Sequence, residues 1–142
     1  MLISSAPTLD QLQRLAEISL DRLPLEFRNH LQNVIIRVDE FPEDAMLAEL
    51  ELDDPFDLLG LYQGVAMTDQ SVEDTGRTPD IIFLFRRPLL DYWCETEETL
   101  DHVVRHVLVH EIGHHFGFSD DDMEAIEAEM DQAADKFRLS GN

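Results

Sequence analysis

His110, Glu111 and His114 are the residues of this chain best able to do chemistry together. On an α-helix, residues four apart lie on one face. His110 and His114 therefore present two imidazoles to a single point. Imidazole nitrogens in that arrangement suit a borderline divalent cation such as Zn2+. Glu111 stands beside the first histidine, within reach of a water on such an ion. Gly117 is placed to end the helix and turn the chain, which brings Asp120 back as a third ligand. Three protein ligands and a water make a catalytic zinc site, whereas structural zinc sites are closed by four ligands rich in Cys. Asp120 is the first choice for the third position. Asp121, Asp122 and Glu124 stand close by and replace it if the turn differs.

Other residues are candidates for supporting parts. His106 precedes His110 by one turn and lines the same face, where it either borders a cleft or packs at the surface. His102 continues that series. His115 is turned about 100° from His114 and is assigned a structural part. Tyr62 is a candidate donor to the transition state if its strand borders the metal. Arg86 and Arg87, adjacent cations in an acidic chain, neutralise carboxylates or bind a substrate carboxylate.

These residues need a rigid frame. A helix is expected from about Thr96, with Thr96 as its cap and Leu100, Val103, Val104, Val107, Leu108 and Ile112 as its apolar face. A second helix starts at Ser119, whose hydroxyl caps it and leaves Asp120 free. Met123, Ile126, Met130, Ala133, Ala134 and Phe137 line that helix to about Leu139. Upstream, Thr8 with Gln11 forms a capping-box pattern before a helix to about Leu20. Leu25, Phe27 and Leu31 fit a short helix after Pro24, and Pro42 to about Leu50 fits another. Residues 33–38 and 58–65 read as strands. Residues 80–85 are almost continuously apolar and read as a strand buried on both faces. Leu89 to Trp93 looks like a helical turn, and residues 68–79 like a surface loop. The class is α+β: a small sheet of mostly β-branched strands packed on the motif helix, with flanking N- and C-terminal helices. Residues 1–142 are expected to form one domain.

Composition narrows the partners. Asp and Glu number 31 against 10 Lys and Arg, for a net charge of −21. Binding to nucleic acid by phosphate neutralisation needs the opposite balance. The single cysteine, Cys94, excludes an internal disulfide. The first seven residues lack the basic and apolar regions of a signal peptide. No apolar run approaches the ~18 residues of a membrane span. A cytoplasmic protein is expected; its oligomeric state is left open.

His110-Glu111-x-x-His114-x-x-Gly117-x-x-Asp120 resembles the motif of the small bacterial zincin-like metallopeptidases, which are similar to a minimal metzincin-type domain. The resemblance is strongest over residues 80–125. It implies zinc held by His110, His114 and Asp120, with Glu111 as general base in peptide hydrolysis. Met123 and Met130 fall within a helix and do not match the methionine turn of larger metzincins. The implied substrate is a peptide or protein, and the net charge of −21 favours a basic or extended one. Two other readings differ in class. One is a non-catalytic zinc-containing module that engages a basic partner. The other is a metal-dependent endoribonuclease similar to the rRNA-maturation factors, whose spacing His106, His110 and His114 match. Asp120 and Glu111 depart from that second pattern.

Overall fold

The described residues form six α-helices, one 3-10 turn and three strands, with the two long helices last. In the computed structural model, residues 5–31, 33–64 and 79–140 are described, with side chains as far as residue 133. Helix α1 (Leu9–Asp21) opens with the expected capping box: Thr8 Oγ1 accepts from the Gln11 N–H at 3.1 Å, and Gln11 Oε1 accepts from the Thr8 N–H at 2.8 Å. Helix α2 (Leu25–Arg28) is a single turn. Strand β1 (Val34–Asp39) leads to α3 (Asp44–Glu49) and a 3-10 turn at Pro55–Asp57. Strands β2 (Gly60–Gln63) and β3 (Asp80–Phe85) follow. Helix α4 (Arg86–Cys94) comes directly after β3, and then α5 (Leu100–Phe116) and α6 (Asp120–Ser140).

The strand order is β1-β3-β2, with β1 parallel and β2 antiparallel to β3. Residue alternation on β3 explains its unbroken apolarity. Ile82 and Leu84 join Ile36 and Tyr62 in a core shared with Leu12 and Ala16 of α1 and Val104, Leu108 and Ile112 of α5. Phe83 and Phe85 face the other way, onto Leu47 and Leu58. Gly60 lets the sheet edge press on α5, because a Cβ there would stand 2.8 Å from Val107 Cγ1 and 2.9 Å from the Phe83 carbonyl.

Several expected boundaries move. The motif helix starts at Leu100, capped by Thr99, whose Oγ1 accepts from the His102 N–H at 3.3 Å. Thr96 is not the cap, because its hydroxyl donates to the Trp93 carbonyl at the end of α4. The segment after β3 is a nine-residue helix rather than one turn. The second strand is shorter than expected, at Gly60–Gln63. Val65, at the expected end of that strand, most of the expected surface loop and the last two residues lie outside the described residues. Arg86 takes the structural part: it donates to the Pro7 carbonyl at 2.7 Å and to Glu40 at 3.1 Å. Among the described residues, no helix is long and apolar enough to cross a membrane.

Candidate metal centre

Helix α5 carries the motif on its C-terminal half, braced by burial of Val103, Val104, Val107, Leu108, Val109 and Ile112. It ends where expected. Gly117 adopts φ 77°, a left-handed conformation that favours glycine, and the Phe118 N–H then donates to the Gly113 carbonyl at 2.8 Å. Helix α6 begins at Asp120, and Ser119 caps it, its Oγ accepting from the Asp122 N–H at 3.1 Å. The expected division of labour holds at this turn. Ser119 does the capping, and the exposed Asp120 carboxylate is not used for it.

The two helices are locked by a close approach. A Cβ at Gly113 would clash with Met123 Sδ. Met123 is fully buried, so α6 lies against α5 at Gly113, where α5 carries no side chain. This contact sets how the next turns of α6 face the histidines.

His102, His106, His110 and His114 lie one turn apart along α5. The rings of His106 and His110 are 4.1 Å apart between centroids, and those of His110 and His114 5.7 Å, edge to face. On α6, Glu127 reaches back to this series. Its Oε1 lies 2.6 Å from His106 Nδ1 and its Oε2 lies 3.5 Å from His110 Nε2. His106 is consequently held protonated more readily than a free histidine, chiefly through the hydrogen bond to Glu127, with burial opposing. One turn further, Asp131 lies 3.4 Å from His102 Nδ1 and accepts from Arg105, which also pairs with Asp101.

Among the described residues, the group that gathers three metal-type ligand atoms within 4.8 Å is His106, His110 and Glu127. Two imidazoles and a carboxylate are a donor set that zinc accepts. His114 and Asp120 are both exposed and stand outside that group, as do Asp121, Asp122 and Glu124. Glu127 was not among the candidates drawn from sequence. A signal for it exists in the pattern of α6: it lies four residues after buried Met123 and three before buried Met130, on the flank of the buried stripe.

Glu111 sits on the sheet side of α5. Burial raises its carboxyl pKa, while a backbone hydrogen bond from Tyr62 and the nearby His114 draw it back down. Tyr62 is placed beside the motif, as its candidacy required, but its hydroxyl donates to Asp80 Oδ2 at 2.7 Å. Its ring stacks on His115, with centroids 3.9 Å apart. Burial, followed by the hydrogen bond to Asp80, pushes the phenol well above its ordinary range.

Comparison with known families gives one result. Residues 31–130 match the zincin-like metallopeptidase family, a span that includes the whole sheet, the motif helix and the start of α6 through Met130. No curated protein matches the chain. With most of its length matched, the chain belongs to the zincin-like metallopeptidase family.

Proposed function

From that membership we propose that the protein is a zinc-dependent peptidase in which Glu111 is the general base. The observation that carries this reading is the placement of Glu111, half-buried beside His110 and His114 and fixed by the Tyr62 backbone N–H. The proposed ligands are His110 and His114 on one face of α5, with Asp120 at the start of α6 completing the set. Asp122 and Glu124 are the alternates. A zinc ion held there supplies Lewis-acid chemistry and lowers the pKa of a water toward ~7. The protein's own residues then have defined tasks. Glu111 accepts the proton of the attacking water and delivers it to the leaving amine, a transfer favoured by a carboxyl pKa raised through burial. The Tyr62 N–H holds the carboxylate in place between those two steps.

The sheet supports an extended peptide as substrate. Among the described residues, β2 is an edge strand next to α5. The Leu59 carbonyl accepts from the Phe85 N–H at 2.9 Å, which turns the alternate residues Gly60 and Tyr62 away from β3. A peptide pairing along that edge at Gly60 passes the Glu111 carboxylate, which the Tyr62 N–H already holds, a form of β-augmentation. The net charge of −21 favours basic peptides and disfavours RNA.

Glu111→Gln tests the reading. It should retain the fold and bound zinc while peptide hydrolysis falls about 10²–10⁴-fold, the usual contribution of a positioned base. Undiminished hydrolysis in that variant would remove Glu111 from the mechanism. A zinc-loaded wild-type protein inert toward varied peptide libraries would return the chain to the binding-module reading.

A further inference from the structure

The histidine series of α5 holds more ligands than one zinc centre uses. His106 and Glu127 take no part in the proposed peptidase site, yet Glu127 divides its carboxylate between two imidazoles one turn apart. The shorter contact, 2.6 Å to His106 Nδ1, is a hydrogen bond. The longer one, 3.5 Å from Oε2 to His110 Nε2, is too long to be a good one. Both oxygens are thus aimed at nitrogen atoms, and only one contact is accounted for by hydrogen bonding.

We infer that His106, His110 and Glu127 form a second divalent-cation site that overlaps the peptidase centre through His110. The three ligand atoms lie within 4.8 Å of one another. Ligands on a tetrahedral zinc with bonds of about 2.1 Å are roughly 3.4 Å apart, so a modest contraction closes the set. The side chains are 41%, 29% and 15% exposed, which leaves water access to a fourth position. Two imidazoles select a borderline ion such as Zn2+ or Co2+ over Ca2+ or Mg2+, which prefer oxygen. The rest of the seam suits a cation as well: Arg105 is engaged by Asp101 and Asp131, and Asp131 also faces His102.

The shared residue sets the stoichiometry. One His110 nitrogen ligates one ion, so a cation at the upstream set of His106, His110 and Glu127 excludes one at the downstream set of His110, His114 and Asp120. The two sets are about one helical turn, ~5.4 Å, apart along α5. The protein should bind one ion in total, distributed between two positions.

Titration of the metal-free full chain with Co2+, read by its visible absorption, and with Zn2+, read by calorimetry, separates the two positions. His114→Ala with Asp120→Ala removes the downstream set and should still bind one equivalent. Adding Glu127→Gln or His106→Asn to that pair should weaken binding roughly 100-fold or more, since loss even of an outer partner of a metal ligand costs 10–100-fold. Glu127→Gln is nearly isosteric, and circular dichroism of each variant establishes that it is folded. If the His114/Asp120 pair binds no ion while the wild type binds one, the upstream site is overturned and the proposed function stands. If the added substitutions leave binding unchanged, the ion is held elsewhere and the inference again fails. A wild type that binds neither Co2+ nor Zn2+ overturns both.

Discussion

Tyr62 on β2 and Glu127 on α6 both reach the motif helix, but they are held by different physics. Tyr62 belongs to a strand in register with β3, its hydroxyl bonded to Asp80 and its backbone N–H to Glu111. Its position is fixed by directional hydrogen bonds within one sheet. Glu127 is positioned by helix packing, through Met123 seated on Gly113 one turn earlier. Its own contacts are with partly exposed, titratable groups. The base of the proposed reaction is thus tied to the directional side of the helix, and the acidic ligands to the side governed by van der Waals contact. Changes in packing should reach the ligands first and the base last.

Met123→Ala should have the largest effect on stability. Removal of a fully buried methionine typically costs about 2–5 kcal/mol. Urea unfolding measures it, and metal affinity should fall in parallel as α6 loosens. An unchanged metal affinity would break the link between packing and ligand placement. Gly113→Ala comes next, at about 1–3 kcal/mol from overpacking against the Met123 sulfur. Its cost should shrink when Met123 is already alanine, and a double-mutant cycle reads that coupling. Strict additivity would show that the two residues do not set the helix spacing.

On the sheet side, Tyr62→Phe removes a hydrogen bond to a carboxylate and should cost about 1.5–3 kcal/mol. It also carries a pH signature. The phenol pKa is raised in the folded protein, so the folded state keeps this proton more firmly than the unfolded chain. Its contribution is complete below the ordinary tyrosine pKa of about 10 and is lost as pH rises through the higher folded value. Thermal melts between pH 9 and 12 should therefore converge for wild type and Tyr62→Phe at the alkaline end. The smallest effect is expected at the outer rung of the histidine series. His102 is partly exposed and faces Glu98 and Asp131 at 3.7 and 3.4 Å, so His102→Ala should change stability by less than about 1 kcal/mol.

Much of this arrangement was legible in the chain. Helical spacing puts His106, His110 and His114 on one face whatever surrounds them, and Thr8 with Gln11, Ser119 and Gly117 mark helix ends through local chemistry. The apolar run of β3 announces burial on both faces, and the fold is the α+β class expected. The start of α5 was harder, because Thr96 and Thr99 are equally good caps locally and the end of α4 decides between them. Glu127 was hidden for a deeper reason. Its partners depend on how α6 rotates against α5, and that is set by a contact between Gly113 and Met123 that no local pattern encodes. The commitment of the Tyr62 hydroxyl to Asp80 is likewise a matter of strand register.

The strand order β1-β3-β2 has a consequence for how the chain assembles on the ribosome. The central strand is the last of the three in sequence, so Val34 waits for Asp80 before β1 gains its parallel neighbour. Until then β1 is an unpaired strand, a liability for association with other chains. α1 precedes it in the chain and, in the folded protein, lies along it, with the Gln13 side chain donating to the Ile36 carbonyl at 2.7 Å. That helix therefore covers one edge of the strand and leaves the other to β3. The histidine-bearing helix follows all three strands in the chain.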